Sequence, residues 1–321
     1  AVVRCWGGTG TNGELNVPYY DFQKLAVGPD QACALVYLGD IACTGATTAL
    51  TPPIGRYNRV SFGTNTTCAL GVDGRPTCWG VSLGTPPDEP LTAISVGAAH
   101  VCGIRVDGNA VCWGDNASGQ ATPEPGEYMA IASGDTFTCA QRTDTGIVCW
   151  GQGAAVDDAP EGAFASLSAH GGNACVLGNA GNVQCWGADA ATLQPPAEMT
   201  FSYIAVGAHH VCGIRQSGAV ALQCWGDNAH GQLQPPTGTG YYRIAAYGDS
   251  TCASNLAGMA CWGALSSTLP STSLRMAPLE IAAGDAHTCT VRGQRGVRCW
   301  GDDTLGQRAV PRHRAQSISA N

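Results

Sequence analysis

Lysine is nearly absent from this sequence: Lys24 is the only one in 321 residues, and the formal net charge is −8. Nucleic-acid binding needs clustered cations that displace the counterions of the phosphate backbone. The only local basic run, near the C-terminus, consists of Arg308, Arg312, His313 and Arg314. The composition therefore argues against a nucleic-acid partner.

Long apolar runs and helical periodicity are also missing. No stretch of about 18 apolar residues occurs, which predicts that the chain does not span a membrane. Apolar residues nowhere recur at the i, i+3, i+4, i+7 spacing of an amphipathic helix. The sequence begins at Ala1 without a recognisable signal peptide, so we expect a mature, processed chain.

Motifs of catalysis and metal binding are absent as well. There is no P-loop, H-E-x-x-H, C-x-x-C or D-x-D-x-D-G sequence. His100, His210 and His287 share one repeat position, which elsewhere holds Gln, Thr, Phe, Asn or Ser. That variety favours a local hydrogen-bonding role. We predict no enzyme activity, no catalytic residues, no metal and no cofactor.

Cysteine is abundant, and sixteen of the seventeen cysteines fall into eight closely spaced pairs along the sequence. Six pairs enclose nine residues and the other two enclose eleven and eight. The second cysteine is followed by Trp-Gly in seven of the eight pairs, and the period is 34 to 39 residues. The pairs are Cys33/Cys43, Cys68/Cys78, Cys102/Cys112, Cys139/Cys149, Cys175/Cys185, Cys212/Cys224, Cys252/Cys261 and Cys289/Cys299.

Each pair frames a β-hairpin. In the unit 93–114 the apolar runs are short and β-prone, and turn residues bound them. Symmetric pairing leaves Val106-Asp107-Gly108 as a three-residue loop, in which glycine takes the positive-φ position cheaply. The same pairing places the two cysteines opposite each other, within disulfide reach. A further glycine, five residues before the first cysteine, predicts a bend at Gly28, Gly63, Gly97, Gly134, Gly207 and Gly284.

The tryptophans define the architecture. Cys and Trp are adjacent in a strand, so they point to opposite faces of the sheet, and both faces must be covered. Small sheets stacked around an axis satisfy this requirement, which indicates an all-β propeller with tryptophan packed between blades. All eight tryptophans occupy this position: Trp6, Trp79, Trp113, Trp150, Trp186, Trp225, Trp262 and Trp300.

Paired cysteines at this density predict eight intra-hairpin disulfides and a secreted, extracellular or cell-surface location. The alternative is that they are small buried apolar residues of a cytosolic propeller. Cys5 has no partner by this pattern. It is predicted to form an intermolecular bridge, to a second Cys5 or to another protein, or to remain a buried free thiol.

The combination of Cys-Trp-Gly, Asp-Asn-x-x-Gly-Gln (115–120 and 227–232) and Gly-x-x-His-x-Cys (97–102 and 284–289) resembles the regulator of chromosome condensation repeat over essentially the whole chain. The resemblance implies a β-propeller, usually with seven blades. Its members include a chromatin-bound exchange factor, a secreted inhibitor of β-lactamases and plant receptor kinases. This cysteine-rich chain is most similar to the secreted type.

The repeat count differs from the usual seven. Eight complete hairpins and one remnant predict about eight to nine blade-equivalents in a single array over residues 1–321. Residues 1–7 supply an outgoing strand without its partner, and 308–321 end in a sequence like that of a first strand. We predict that these two segments jointly form an incomplete closing blade.

These features together predict a non-enzymatic extracellular propeller that binds a protein or glycan through loops at one mouth. One alternative is a structural subunit that self-assembles into an extracellular polymer through its incomplete terminal blade; another is an inhibitor of a secreted or cell-wall enzyme. The candidate binding residues are Asp115, Asn116, Gln120, Asp227, Asn228, Gln232, Asp302, Asp303 and Gln307.

Two N-glycosylation sequons are present, at Asn65 and Asn116. Asn116 is predicted to lie on a loop between blades, where it would be the better acceptor. Asn65 is predicted to enter a strand, which makes modification there less favourable.

Overall fold

A computed structural model of the protein describes residues 21–27, 31–36, 41–45, 52–144, 146–153, 156, 158–217, 221–255, 258–264, 278–283, 287–292, 296–301 and 314–315. These residues include 25 strands in eight sheets; seven of the sheets have three strands and one has four.

Blades 1 to 4 contain twelve consecutive strands. They are β1 (Asp21–Val27), β2 (Gln31–Val36), β3 (Ile41–Gly45), β4 (Tyr57–Phe62), β5 (Thr66–Gly71), β6 (Pro76–Gly80), β7 (Leu91–Val96), β8 (His100–Arg105), β9 (Ala110–Gly114), β10 (Tyr128–Ser133), β11 (Phe137–Arg142) and β12 (Ile147–Gly151).

Blades 5 to 8 repeat the arrangement, and a short final strand follows. They are β13 (Phe164–His170), β14 (Asn173–Gly178), β15 (Val183–Gly187), β16 (Phe201–Val206), β17 (His210–Arg215), β18 (Leu222–Gly226), β19 (Arg243–Tyr247), β20 (Ser250–Asn255), β21 (Gly258–Gly263), β22 (Pro278–Ala283), β23 (His287–Arg292), β24 (Gly296–Gly301) and β25 (Arg314–Ala315).

The eight sheets form a closed ring. The first strand of every blade contacts the first strand of both neighbouring blades, and β1 contacts β22 of blade 8. The outer strands make no comparable contacts with each other, so the first strand is the inner strand, nearest the axis. The all-β propeller is confirmed, and it has eight blades.

The C-terminal strand β25 joins the first blade, where it pairs in parallel with β1. It occupies the free edge of that inner strand within the same chain. Residues 1–7 lie outside the described residues, so the jointly formed closing blade stays a prediction.

The hairpin register matches the sequence interpretation. Cys102 lies opposite Cys112, and the turn is closed by a hydrogen bond from the Gly108 amide to the Arg105 carbonyl, with Gly108 at φ 86°. Disulfides join six of the predicted pairs: Cys68–Cys78, Cys102–Cys112, Cys139–Cys149, Cys175–Cys185, Cys212–Cys224 and Cys252–Cys261. Each closes a loop of about ten residues, which in chain-entropy terms stabilises the fold by about 2–3 kcal/mol.

The remaining cysteines are less completely described. Cys33 and Cys289 lie opposite Cys43 and Cys299 in the strand register, and Cys43 is disulfide-bonded. Cys5 lies outside the described residues, as does Trp6.

The core is a repeated interface between blades. In blade 6, Trp225 packs in one cluster with the disulfide cysteines Cys175 and Cys185 of blade 5. Trp262 of blade 7 packs in the same way with Cys212 and Cys224 of blade 6. Opposite orientation of adjacent Cys and Trp is therefore what lets each blade present a disulfide to one neighbour and an indole to the other.

The predicted glycine bend has a steric cause. A Cβ on Gly207 would lie 2.6 Å from His210 Nδ1 and 2.7 Å from the Gly248 carbonyl oxygen, both impossibly close. Gly97 and Gly134 face His100 and Phe137 in the same way. In blades 5 and 7 a large residue takes the place of the bend glycine, and a smaller residue stands three positions later. These pairs are His170 and Asn173 in blade 5, and Tyr247 and Ser250 in blade 7.

Indole hydrogen bonds predict unequal effects of Trp→Phe substitutions. Trp262 Nε1 donates to the Gln232 carbonyl at 2.8 Å, whereas Trp79 Nε1, on an equally buried indole, has no partner among the described residues. Trp262→Phe should cost about 2–4 kcal/mol, since it removes buried volume and orphans a carbonyl. Trp79→Phe, the matched control, should cost about half as much. Urea unfolding with intact disulfides measures both, and equal losses would contradict the role of the hydrogen bond.

Candidate binding face

One end of the propeller carries two sets of connections, which we call the loop face. Because the three strands of a blade are antiparallel, the bend after the inner strand and the connection after the outer strand lie at the same end. The loop face comprises bends 63–65, 97–99, 134–136, 171–172, 207–209 and 248–249, and connections 81–84, 115–120, 152–153, 188–194 and 227–232. The hairpin face is the opposite end, where the turns 72–74, 106–108, 143–144, 179–181 and 216–217 lie.

The glutamine that ends the repeated loop motif is a buried anchor. Gln120 is 1% exposed, and its carbonyl accepts a hydrogen bond from Trp150 Nε1 at 3.0 Å. Its side-chain Oε1 accepts from the Ser118 amide at 2.9 Å, and its Nε2 donates to Asp115 at 2.8 Å. The anchor therefore ties the loop to the indole between the blades.

Gln232 repeats this arrangement between blades 6 and 7. Its side-chain Oε1 accepts from the His230 amide at 2.7 Å, and its Nε2 donates to Asp249 at 3.1 Å. Gln120 and Gln232 thus hold their loops from beneath, while the other residues of the motif reach the surface. The third candidate loop, with Asp302, Asp303 and Gln307, lies outside the described residues.

The loop tips are exposed but internally braced. Asn116 Oδ1 accepts from the Ala121 amide at 2.9 Å and its Nδ2 donates to Thr122 at 2.9 Å. Asn228 Oδ1 accepts from the Leu233 amide at 2.9 Å in the same geometry. Ala117 and Ala229, beside these asparagines, are exposed and make no side-chain hydrogen bonds. The tips are therefore preorganised surfaces.

The loop face is acidic. Within the ranges that define it, the charged and titratable residues are five aspartates and two histidines, with no lysine or arginine: Asp115, Asp135, Asp189, Asp227, Asp249, His209 and His230. The hairpin face carries Arg75, Arg105, Arg142 and Arg215, but its turns also carry Asp73, Asp107 and Asp144, and two of the arginines pair with Asp88 and Glu89. The hairpin face thus has charges of both signs, whereas the loop face has carboxylates without lysine or arginine in its ranges.

Both loop-face histidines contact carboxylates of neighbouring blades. His209 Nδ1 lies 2.7 Å from Asp189 Oδ2, and this hydrogen bond raises the pKa of His209. His230 Nε2 lies 3.6 Å from Asp249 Oδ2. Although partial burial opposes it, the hydrogen bonds from His209 and Asn173 hold the pKa of Asp189 below its usual value. Asp189 stays ionised, and acidification makes the face less negative by protonating His209.

Two of the repeated histidines, His100 and His210, have a structural role, as their variable position indicated. His100 Nε2 lies 2.7 Å from Thr138 Oγ1 of the next blade, and His210 Nε2 lies 2.6 Å from Thr251 Oγ1. Both are fully buried. Burial lowers the pKa of each to about 4, so both are neutral ties between blades at physiological pH.

The two sequons lie on the loop face. Asn116 is on the connection between blades 3 and 4, as predicted, and is exposed. Asn65 lies in the bend before β5 and is also exposed, so the expectation that it enters a strand was wrong. The strand begins one residue later because the Gly63 amide already bonds the Thr66 carbonyl. Glycosylation at either position stays a prediction.

Within the part of the chain that is described, no three His, Cys, Asp or Glu side chains are grouped closely enough to hold a metal ion. Likewise, none of its helices could cross a membrane.

Comparison with known families agrees with this repeat. A model of the regulator of chromosome condensation (RCC1) repeat matches residues 91–120, 201–232 and 280–307. Two of these matches run from the first residue of an inner strand to the buried glutamine anchor, at 91–120 and 201–232. The matched unit is therefore one blade together with its loop-face connection.

Solved structures with a similar fold include two plant receptor-kinase ectodomains. That of Physcomitrella patens CR4 is 24% identical with a TM-score of 0.62, and covers 76% of this chain and 73% of its own. The CRINKLY WD40 ectodomain of Arabidopsis thaliana ACR4 is 24% identical with a TM-score of 0.59, covering 79% of this chain and 99% of its own. Prp20p of Saccharomyces cerevisiae is 14% identical with a TM-score of 0.55, covering 70% and 80%. These similarities support the propeller fold.

The buried histidines predict acid sensitivity. Their folded pKa of about 4 lies below the ordinary 6.5, so between these values the unfolded chain binds protons that the folded chain excludes. Stability should be fully present above pH 6.5 and fall by about 2 kcal/mol per histidine by about pH 5. His100→Gln and His210→Gln should each flatten this dependence in urea unfolding; Gln31 holds the position in blade 1.

His209→Gln is the matched control, because its pKa is shifted in the opposite direction. A raised folded pKa stabilises the fold below the unfolded pKa and is lost as the pH rises, so this variant should steepen the acid loss. Unchanged slopes in the buried-histidine variants would show that they do not carry the pH dependence.

Proposed function

Because the chain carries repeats of the regulator of chromosome condensation family, we propose that it is an extracellular, non-enzymatic propeller that binds a protein or glycan partner through its loop face. The observation that carries the proposal is the loop face itself. It combines buried glutamine anchors, exposed and braced tips, and negative charge without a described lysine or arginine.

Rigidity supports binding by this face. Loops on a rigid scaffold commonly carry function, and a preorganised loop loses less conformational entropy when a partner binds. Here the anchors connect each tip to an indole between blades. The aspartate and glutamine side chains are engaged in hydrogen bonds that hold the loops, which favours recognition over catalysis.

Charge narrows the class of partner. An acidic surface steers a positively charged partner during encounter and repels acidic ones. A basic protein segment fits the loop face better than an acidic glycan. Protonation of His209, which pairs with Asp189, would weaken this attraction as the pH falls.

The disulfides support the extracellular location. Disulfides persist in oxidising compartments and are rare in the reducing cytosol. Six join the described hairpins, and the two similar plant structures are receptor ectodomains. The same bonds keep the blades intact outside the cell.

Arginine substitutions at the tips test the face. Ala117→Arg and Ala229→Arg add bulk and positive charge where no side-chain contact is lost. We expect each to weaken partner binding by about tenfold or more and to reduce its salt dependence. A panel of recombinant extracellular proteins and a glycan array serve as probes, and surface plasmon resonance measures the affinity of each bound probe.

Val72→Arg and Val106→Arg are matched controls on the hairpin face, where both valines are exposed, by 64% and 70%. They should leave binding unchanged. Loss of binding in these controls, with the tip variants unaffected, would assign recognition to the hairpin face instead.

A further inference from the structure

One position of the inner strands carries large side chains that the propeller does not require. This position pairs with the second residue after the first cysteine of the hairpin, and in blades 3 and 4 it is Ala93 and Ala130. In blades 6 and 7 the same position holds Tyr203 and Arg243. Because alanine is sufficient in the same register of two blades, the fold does not explain the tyrosine and the arginine.

Tyr203 is far more exposed than the tyrosines of the core. It is 49% exposed, whereas Tyr57, Tyr128 and Tyr247 are buried. Tyrosine combines a large apolar ring with a polar tip and is enriched where proteins bind their partners. The exposed ring is therefore a platform on which a ligand can stack.

Arg243 of the next blade lies against this ring. Its guanidinium carbon is 5.8 Å from the centre of the Tyr203 ring and 6.0 Å from the centre of the Tyr242 ring. Its Nη1 donates a hydrogen bond to the Tyr242 carbonyl at 3.1 Å. These contacts fix the orientation of a guanidinium that is only half-buried. We call Tyr203, Tyr242 and Arg243 the tyrosine–arginine site.

The charge of Arg243 has no counterion within the described part of the chain. The ion pairs found there involve Arg75, Arg105 and the two loop-face histidines, and none includes Arg243. A planar guanidinium has several N–H donors in a fork that matches a carboxylate, and the Tyr242 carbonyl engages only one of them. Because its orientation is already fixed, the fork loses little conformational entropy when an anion binds.

The surroundings of the site favour a small ligand unit over a protein surface. The centre of a protein interface contains several apolar side chains. Among the described residues of blades 6 and 7, Tyr203 is the only large hydrophobic residue that is exposed. A sugar ring that bears a carboxylate needs less: its C–H face stacks on one aromatic ring, and its carboxylate pairs with one arginine.

We propose that the tyrosine–arginine site binds a sugar that carries a carboxylate, such as a uronic acid unit of a glycan. The sugar ring lies on Tyr203, the carboxylate accepts hydrogen bonds from Arg243, and Tyr242 holds the arginine in place. The inner strands β16 and β19 run from the hairpin face to the bends of the loop face, and the site lies in their first halves. It is therefore separate from the loop face and goes beyond the proposed function.

Trigalacturonate, in which every sugar unit carries a carboxylate, is the probe. Its fully methyl-esterified form is the uncharged control. Isothermal titration calorimetry with the oxidised full-length chain measures the affinity for both. We expect trigalacturonate to bind more weakly at higher salt, and the ester to bind with an affinity lower by about tenfold or more.

Substitutions separate the roles of the charge and the ring. Arg243→Gln removes the charge and should weaken trigalacturonate binding by about tenfold or more. Arg243→Lys keeps the charge without the planar fork, so its affinity should lie between those of the glutamine variant and the wild type. Tyr203→Ala should weaken binding by about tenfold, whereas Tyr203→Phe retains the ring and should bind normally. Alanine at the same position of blades 3 and 4 indicates that Tyr203→Ala folds.

Arg142→Gln is the matched control. Arg142 makes a contact of the same kind, 5.6 Å from the centre of the Tyr128 ring, but that ring is only 3% exposed. A sugar cannot stack on a buried ring, so this variant should bind trigalacturonate as the wild type does.

Several results would overturn the site. They are no binding of trigalacturonate by the wild type at millimolar concentration, equal affinity for the methyl ester, an unchanged affinity in Arg243→Gln, or an equal loss in Arg142→Gln. Tighter binding of a glutamate-rich peptide than of trigalacturonate would assign the site to an acidic protein segment instead. The loop-face variants Ala117→Arg and Ala229→Arg should leave these affinities unchanged, so the two proposals fail separately.

Discussion

The packing of one blade's tryptophan against the disulfide of the preceding blade is the interaction on which the structure depends. A three-stranded sheet of this size cannot bury both of its faces alone. In six of the interfaces the indole of one blade and cysteines of its neighbour fill the space between two sheets, as with Trp225 beside Cys175 and Cys185. The disulfide holds the hairpin together, and the tryptophan makes the neighbouring sheet part of the same core.

The loop face is an extension of that core. The indole nitrogen donates upward to the carbonyl of a buried glutamine, whose side chain then satisfies the amides and carboxylate of the loop above it. The exposed tips are thus positioned by a hydrogen-bond chain that begins between the blades. Blade 5 uses Leu193 for the same purpose, since its carbonyl accepts from Trp225 Nε1 at 2.8 Å. The anchoring contact is retained there although the Asp-Asn-x-x-Gly-Gln motif is not.

Protonation of histidines affects both the contacts between blades and the loop face. His100 and His210 tie adjacent blades as neutral groups, whereas His209 and His230 lie in the acidic loop face beside carboxylates. Burial and carboxylate contact shift histidine pKa values in opposite directions. The adjacent residues His209 and His210 therefore respond oppositely to acid. Protonation strengthens the contact of His209 with the carboxylate of the neighbouring blade, whereas burial disfavours protonation of His210.

The sequence by itself determined the repeat, the hairpin register, the disulfide partners and the alternation of Cys and Trp across each sheet. These are consequences of short-range spacing: nine residues between cysteines, with Gly108 in the positive-φ position, place Cys102 opposite Cys112. Only the tertiary structure decided the number of blades, the burial of Gln120 and Gln232, the exposure of Asn65, and the contact of Tyr203 with Arg243. Those outcomes depend on ring closure, which brings together residues from different repeats. The spacing of residues within a single repeat does not predict such contacts.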